Sequence, residues 1–452
     1  MEVGIHMKYV VLTCKLGIAF LIIFLQACAI YDLKGDVDRA DSSYGLLRVA
    51  PIDRTPGSDI LLLVYRQTGP GPQLINHRMP LAGQESLFLV PIAEYRIVAF
   101  EDVNHDFIYQ PGEPAASSDE PPLYTGVPRG KEALQYESVE SLKLHLSADY
   151  QLPWSVDLSA QMPQEQISRA KQNYLQLTTW DNPAFSEDNV RKGLWQPLTF
   201  YEQTGYGLYL LEELDPAKQP LLLVHGINGS PLNFRALAAE LSEDYQLLLF
   251  QYPSGFSLEY SAYVLHRAVS DFLGHRTNKE LHILAHSMGG LLSRGMLLLN
   301  NAETNARIST YITLATPWSG HDAARLGVEW APVIAPVWRS MAPDSSYLQR
   351  IFAEPLAESI EHYLFFSSAH SRNGPSKGDD GVVTVRSQLS YHAQKQASAV
   401  YGIEDNHSGI INNPCTIATV QMLLERANIA GSPPRLKCNP GFLSTDQADG
   451  QK

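Results

Sequence analysis

The sequence predicts an α/β domain with a doubly wound, mostly parallel sheet, preceded by a small β-sandwich-like domain. From Pro220 onward, short apolar runs alternate with amphipathic stretches of helical period, which is the pattern of a parallel sheet covered by helices. Between Gly45 and Asp157, β-branched and aromatic runs are separated by Gly and Pro clusters without helical stretches, which favours a small sandwich. The 452 residues, 44% of them hydrophobic, suffice for two or three domains.

The individual elements follow from the same patterns. In the β-rich part we expect strands at 59–65, 85–90 and 95–100. The α/β part is expected to have strands at 221–224, 245–252, 281–285, 308–314, 362–366 and 398–403, with helices at 258–273 and 289–299. The expected division of the chain is a signal peptide over 1–27, a polar tether over 28–44, the β-rich domain over 45–157, a helical connector over 158–200, the α/β domain over 201–440 and a disordered tail over 441–452.

The N-terminus has the composition of a secretory signal. Lys8 and Lys15 precede an apolar run at 16–25, and the small residues Ala27 and Cys28 follow it. A single transmembrane anchor is the alternative, although the run is short for a membrane span.

Leu25-Gln26-Ala27-Cys28 resembles a bacterial lipobox. The resemblance implies that Cys28 becomes the lipidated first residue of the mature chain, anchored firmly because each buried CH₂ contributes about 0.8 kcal/mol. Ala29, rather than Asp, follows the cysteine, which in Gram-negative lipoproteins implies the outer membrane. The expected location is therefore the bacterial cell envelope, with the membrane as a partner.

Net charge indicates which partners the protein can bind, and the cysteines bear on the redox state of its compartment. The formal net charge of −14 argues against nucleic acid as a partner, because an acidic surface repels phosphate backbones. Of the four cysteines, Cys14 and Cys28 belong to the signal and the anchor. Export allows the other two, Cys415 and Cys438, to form a disulfide, and two free thiols are the alternative.

The segment Ala285-His286-Ser287-Met288-Gly289 joins an expected strand to an expected helix. It resembles the nucleophile elbow G-x-S-x-G of the α/β-hydrolases, with Ala285 in place of the first Gly. Small residues on both sides suit a sharp strand-to-helix turn with a strained nucleophile. The resemblance implies that Ser287 is the nucleophile of an esterase or lipase. A serine that only caps a buried helix is the alternative.

A serine nucleophile needs a base and an acid that orients the base. The hydrolase fold places them downstream in the order Ser, Asp, His. Asp380 precedes Gly381-Val382-Val383 as the acid of lipases does, and Asp379 is the alternative. His407 follows the expected strand 398–403, where the family's histidine lies, whereas His392 does not fit.

The oxyanion of the tetrahedral intermediate needs fixed donors. Residues 224–230, Val-His-Gly-Ile-Asn-Gly-Ser, resemble the His-Gly loop of lipases, which implies the N–H groups of Ile227 and Met288 as donors. A phosphate-binding loop is excluded by the lack of a following Lys-Ser or Lys-Thr. His286 is expected to pack beside the nucleophile.

Residues 313–320, Thr-Leu-Ala-Thr-Pro-Trp-Ser-Gly, resemble a lipase segment that follows the nucleophile helix. The stretch around 318–361 is interpreted either as a cap over an acyl pocket or as a helical hairpin packed on the sheet. The resemblance covers roughly 220–427 and leaves the β-rich domain without a function.

Asp102, Asn104, Asp106, Ile108 and Glu113 have the ligand spacing of an EF-hand calcium loop. Phe107 stands at the position of the usual Gly, and a strand precedes the loop, so the default interpretation is a polar β-sandwich loop without metal.

The sequence thus predicts a lipid-anchored carboxylic ester hydrolase that acts on an ester or lipid substrate without a cofactor. An acyltransferase or thioesterase with the same triad remains an alternative, because only exclusion of water separates transfer from hydrolysis. A non-catalytic envelope binding module is the alternative outside enzymes. The sequence leaves the oligomeric state open.

Overall fold

A computed structural model describes the chain in several ranges. These are 29–39, 44–52, 55, 59–68, 71–78, 86–104, 106–118, 123–124, 141–158, 175–204, 206–275, 279–300, 302–369 and 378–426. The predicted signal peptide, Cys28 and the predicted tail lie outside the described residues.

Sixteen strands form three sheets within these ranges. The strands are β1 (Tyr44–Ile52), β2 (Asp59–Thr68), β3 (Gly71–Arg78), β4 (Ser86–Pro91), β5 (Glu94–Asp102), β6 (Ala115–Ser117), β7 (Leu123–Tyr124), β8 (Ser141–His145), β9 (Leu175–Leu177), β10 (Gly207–Leu210), β11 (Gln219–Val224), β12 (Tyr245–Gln251), β13 (Leu281–His286), β14 (Ile308–Leu314), β15 (Glu361–Ser367) and β16 (Ala399–Ile403).

The α-helices of the described ranges lie mostly between strands of the largest sheet. They are α1 (29–39), α2 (Glu187–Trp195), α3 (Pro197–Gln203), α4 (Arg235–Leu241), α5 (Leu258–His275), α6 (Met288–Leu299), α7 (Ala302–Ala306), α8 (Asp322–Trp330), α9 (Pro336–Met341), α10 (Ser346–Arg350), α11 (Val385–Gln388), α12 (Tyr391–Gln396), α13 (Gly409–Asn412) and α14 (Pro414–Glu425). Short 3₁₀ turns occupy Pro183–Phe185 and Pro231–Phe234.

The N-terminal domain is a two-sheet sandwich. One sheet has the order β4-β1-β8, and the other has the order β3-β2-β5-β6, with β7 paired to β5. Val49 and Phe88 of the first sheet share a buried cluster with Leu62 and Ile97 of the second. This arrangement confirms the predicted β-sandwich-like domain.

The C-terminal domain is built on an eight-stranded sheet of order β9-β10-β12-β11-β13-β14-β15-β16. Its pairs are parallel except for β10 against β12. The whole of β13 is buried, and β11 is buried beyond its first residue, as expected for apolar strands that helices cover on both faces. The predicted mostly parallel, doubly wound sheet is confirmed.

The strand order changes direction at β11. The chain leaves β11 to form β12 on one side and then returns through α5 to form β13 on the other. Helix α4 packs in one buried cluster, while α5 and α6 pack in another. Loops that follow β11 and β13 therefore diverge at the carboxyl ends of adjacent strands, where open α/β sheets form their ligand crevice.

The predicted polar tether over 28–44 differs from the structure, in which residues 29–39 form helix α1. Leu33 of this helix is fully buried in the core of the C-terminal domain. The Asp36 carboxylate accepts hydrogen bonds from the backbone N–H groups of Leu198 (2.7 Å) and Thr199 (3.1 Å), the first turn of α3. Sequence pattern missed this contact because Asp36 caps a helix more than 160 residues away.

The boundary predicted at 201 also differs. Strand β9 forms the edge of the large sheet, where it pairs with β10, and Leu194 of α2 and Leu198 of α3 lie in its core. The described residues of the expected connector, from 175 onward, thus belong to the C-terminal domain. A three-residue strand is too short to give a recognisable hydrophobic period.

Helices α8 to α10 form the segment interpreted as a cap or a packed hairpin. The Val337 N–H donates to the Gly255 carbonyl (3.2 Å), and the Ser340 hydroxyl accepts from the Leu258 N–H (3.1 Å) at the start of α5. Helix α9 is therefore packed on the helix layer. Helix α8 contributes Ala324 to the buried core, and Trp330 at its end is 79% exposed.

The loop with EF-hand spacing uses its carboxylates as backbone acceptors. Asp102 accepts from the N–H groups of Asp106 and Phe107, both at 3.1 Å, and Glu113 accepts from Val103 at 2.9 Å. Phe107 takes a left-handed backbone (φ 64°) at the turn. Across the described ranges, no group of three or more His, Cys, Asp or Glu side chains is placed to hold a metal ion.

Two further features concern the anchor and the disulfide. None of the described helices is long and apolar enough to cross a membrane. Cys415, at the start of α14, is disulfide-bonded, and its predicted partner Cys438 lies outside the described residues.

We predict that Asp36→Ala weakens the docking of α1. The change removes an acceptor that two backbone N–H groups and the Thr199 hydroxyl share, and losing such a cap costs about 1–2 kcal/mol. Trypsin should then cut after Lys34 and Arg39 several-fold faster, as followed by mass spectrometry. Asp38→Ala, which affects an exposed ion pair with Lys34, is the control. Equal cleavage rates in both variants would contradict the role of Asp36.

Candidate active site

Ser287 occupies the sharp turn between β13 and α6. Its backbone is left-handed, with φ 54° and ψ −128°, a strained region for a residue with a side chain. The surroundings hold this conformation, because the Ser287 N–H donates to the Leu314 carbonyl (2.8 Å) and its carbonyl accepts from Gly290 (3.0 Å). The predicted sharp strand-to-helix turn is thus present, with Ser287 at the N-cap of α6.

Glycines let the elbow pack against the neighbouring strand. A Cβ at Gly289 would lie 2.4 Å from the Val224 carbonyl oxygen. A Cβ at Gly226, in the loop after β11, would lie 2.8 Å from the Ser287 Cβ. Only glycine allows the two loops to approach this closely.

His407 lies in the loop after β16, and its imidazole reaches Ser287. The distance from His407 Nε2 to Ser287 Oγ is 2.9 Å, and that from His407 Nδ1 to Asp380 Oδ2 is 2.7 Å. The backbone N–H of His407 also donates to the Asp380 carbonyl (3.0 Å). The structure therefore brings Ser287, His407 and Asp380 into one hydrogen-bonded chain, whereas His392 lies on α12.

Asp380 is buried and surrounded by donors. Oδ1 accepts the backbone N–H of Val383 (2.7 Å), and Oδ2 accepts the hydroxyl of Ser367 (2.7 Å) and the amide of Gln388 (3.1 Å). Burial by itself raises the pKa of Asp380, but the hydrogen bond and charge of His407, together with Ser367 and Val383, outweigh it and lower the pKa. Asp380 is thereby held as a carboxylate.

Asp379, the alternative acid, has a different role. Its carboxylate accepts the Gly381 N–H (3.0 Å) within the turn. Within the described ranges the Asp379 side chain forms no hydrogen bond with His407, so the geometry favours Asp380 of the two.

Several residues that contact Asp380 or His407 were not predicted to belong to the site. Ser367 ends β15 and Gln388 ends α11, and neither carries a motif that could have identified it. His286 was expected only to pack, but its Nε2 lies 2.8 Å from the His407 carbonyl oxygen. Burial, followed by the charge of His407, lowers the pKa of His286 to about 3, so the ring is neutral and donates from Nε2–H.

Tyr252 and Ser254, which follow β12, hold the loop after β11 in place. The ring of His225 stacks on Tyr252 at 4.3 Å, and the Tyr252 hydroxyl donates to the His225 carbonyl (2.7 Å). Asn228 takes a left-handed backbone (φ 52°) and donates its N–H to Ser254 (3.1 Å). These contacts fix the segment that includes Ile227.

The sheet order and the elbow together define the α/β-hydrolase fold for the domain that contains Ser287. Residues 221–414 match the model of the alpha/beta hydrolase family, and the positions of Ser287, Asp380 and His407 all fall inside the match. No curated protein matches the chain significantly.

Solved structures resemble the chain distantly. The mature lipase BlEst2 of Bacillus licheniformis is 19% identical over 47% of this chain and 94% of its own, with a TM-score of 0.38. The metagenomic carboxyl esterase MGS0156 is 13% identical over 47% of this chain and 76% of its own, with a TM-score of 0.36. Phospholipase PlaB of Legionella pneumophila is 19% identical over 38% of this chain and 45% of its own, with a TM-score of 0.32. Likenesses at this level do not identify a substrate.

We predict that the protein loses stability between pH 6.5 and pH 4. Burial lowers the pKa of His225, His266 and His282 to about 4, and that of His286 and His362 to about 3. Below pH 6.5 the unfolded chain binds protons that these buried rings do not, so each adds a slope of about 1.4 kcal/mol per pH unit to the free energy of unfolding. Urea unfolding at pH 7.5, 6.0 and 5.0 measures this slope.

The variant His282→Asn tests the origin of that slope. It should reduce the slope between pH 6 and pH 5 by about 1.4 kcal/mol per pH unit, the contribution of one titrating ring. Comparison at pH 7.5 gives the cost of lost packing separately. An unchanged slope would show that the buried imidazoles are not its source.

Proposed function

We propose that the protein is a serine hydrolase that cleaves carboxylic esters, with acyl or lipid esters as the substrate class. The observation that carries the proposal is the hydrogen-bonded chain from Ser287 Oγ through His407 to Asp380, with Ser287 held on a strained elbow. The match to the alpha/beta hydrolase family over 221–414 supports the same reaction class.

In the proposed mechanism His407 takes the proton of the Ser287 hydroxyl as the oxygen attacks the acyl carbonyl. Asp380 accepts the hydrogen bond from Nδ1–H and stabilises the imidazolium that forms. Its lowered pKa keeps it negatively charged for this purpose. The alkoxide leaves with the proton of His407. Water, deprotonated by the same ring, then cleaves the acyl-enzyme and regenerates Ser287.

The oxyanion is proposed to bind the N–H groups of Ile227 and Met288. Met288 begins α6, where a free N–H and the positive end of the helix dipole both favour negative charge. Ile227 belongs to the loop that Gly226 brings against Ser287. Neither N–H donates a hydrogen bond to another residue in the described part of the chain.

We also propose that the enzyme is tethered to the bacterial envelope, in the outer membrane, through a lipid on Cys28. The lipobox-like sequence at 25–28 and the alanine after it support this location. Tethering would place an acyl-cleaving site next to membrane lipid, which is the abundant ester in that compartment.

Ser287→Ala should abolish hydrolysis of p-nitrophenyl butyrate, with at least a thousandfold loss of kcat, because the variant has no acyl acceptor. A fluorophosphonate probe should label the natural protein and not the variant. Thermal unfolding should change little, since within the described ranges the hydroxyl bonds only to His407, whose loop is also held by the Asp380 carbonyl and by His286. Full activity in the variant, or labelling elsewhere, would overturn the assignment. Detection of the free acid, rather than an ester of an added alcohol, establishes hydrolysis over transfer.

Asp380 and Asp379, which are adjacent in the turn, allow a matched test of which carboxylate is the acid. Asp380→Asn should lower kcat by about 10³–10⁴-fold, because the amide favours the wrong imidazole tautomer. Asp379→Asn should stay within a few-fold of the natural enzyme, since within the described ranges that carboxylate accepts a hydrogen bond only from the Gly381 N–H. The reverse ranking would assign the role of the acid to Asp379.

A further inference from the structure

A pocket of about 380 Å³ lies between the start of α1 and the helix α2. Both helices belong to the C-terminal domain, and none of the residues that line the pocket belongs to the candidate active site. The side chains that matter for its chemistry are those of Ala29, Asp32, Asp188, Arg191, Lys192 and Trp195.

Charges of both signs face this pocket without neutralising each other. Asp32, Asp188 and Arg191 form no ion pair with any residue in the described ranges. The Lys192 ammonium donates to the neutral amide of Gln203 (3.2 Å). Two carboxylates and two cations around one pocket complement a ligand that carries one anionic and one cationic group.

The pocket also has a fixed aromatic wall. Trp195 is half-buried at the end of α2 and packs edge-on against Trp338 of α9, with ring centroids 6.0 Å apart. Tryptophan is enriched at membrane–water interfaces, where its ring accommodates both headgroups and acyl carbon.

Helix α1 fixes the position of the pocket relative to the proposed anchor, so the inference depends on the lipidation of Cys28 proposed above. Ala29 lines the pocket and follows Cys28 directly, and consecutive Cα atoms are about 3.8 Å apart. Leu33 and Asp36 clamp α1 to the domain. A lipid on Cys28 would therefore hold the pocket at the level of the phospholipid headgroups.

We propose that this pocket binds the headgroup of a zwitterionic aminophospholipid, phosphoethanolamine in chemical class. The phosphodiester would bind Arg191 and Lys192, since guanidinium and ammonium groups are the usual phosphate donors. The primary ammonium of the headgroup would bind Asp32 and Asp188. Binding would fix the orientation of the catalytic domain on the bilayer, which a lipid tether alone does not.

The test uses the full chain, purified with its lipid in a neutral detergent and titrated calorimetrically with glycerophosphoethanolamine. Arg191→Gln/Lys192→Gln and Asp32→Asn/Asp188→Asn should each weaken binding at least tenfold. Lys395→Gln/Glu240→Gln, which removes one exposed charge of each sign elsewhere, is the matched control and should bind as the natural protein does. Ester hydrolysis should be unchanged in all three variants.

Titration with inorganic phosphate and with ethanolamine tests whether the pocket recognises the whole headgroup or only one of its two charged parts. Each should bind at least tenfold more weakly than glycerophosphoethanolamine. If phosphate binds as tightly as the diester and the acidic variant is unaffected, the pocket is a phosphate site and the proposal is overturned. Equal binding by the natural protein and both variants also overturns it.

Failure of the proposed function gives a different result. Mass spectrometry of the N-terminal peptide reports the lipid on Cys28, and p-nitrophenyl butyrate hydrolysis reports the active site, both independently of the titration. A lipidated, active enzyme without headgroup binding sinks this inference alone. Headgroup binding by an unlipidated or inactive protein supports the pocket and refutes the anchor or the hydrolase.

Discussion

The left-handed backbone of Ser287 is the constraint on which the rest of the candidate site depends. A side chain at φ 54° persists only where its surroundings over-determine it, and here the Leu314 carbonyl, the Gly290 N–H and the close contact with Gly226 do so. The contact with Gly226 requires β11 and β13 to be neighbours although β12 lies between them in the chain. The change in strand order at β11 is thus what brings Ser287 and the proposed oxyanion loop together.

The groups around His407, the proposed base, include the anionic Asp380 and the neutral His286. Asp380 stays ionised because donors from β15, α11 and the turn surround it, while His286 stays neutral because it is sealed from water. A neutral His286 places no positive charge beside His407, and its N–H holds the His407 carbonyl. The loop that carries His407 is therefore fixed at its backbone and at its ring, which preserves a 2.9 Å approach to Ser287.

Sequence predicts those features that have a local signature. The apolar strands, the elbow and the Asp-Gly-Val-Val turn are contiguous, so period and motif locate them, and the predicted fold class is confirmed. Ser367 and Gln388 could not be found because their role arises only when β15 and α11 converge on Asp380. Likewise, α1 has the composition of a polar tether, and only the contact of Asp36 with the first turn of α3 makes it part of the domain.

The contact between Asp36 and the first turn of α3 changes the effect that a lipid on Cys28 would have. A flexible tether leaves a domain free to rotate, and the active site would meet the membrane at random. A helix clamped through Leu33, Asp36 and the Arg39–Glu202 ion pair instead restricts rotation about the attachment point. One attachment still permits the domain to roll on the membrane. A second contact beside it would restrict that rolling, and this contact can be weak because the effective concentration at a tethered surface is high. A weak headgroup pocket next to the proposed anchor would therefore be sufficient to select one face of the protein for the bilayer.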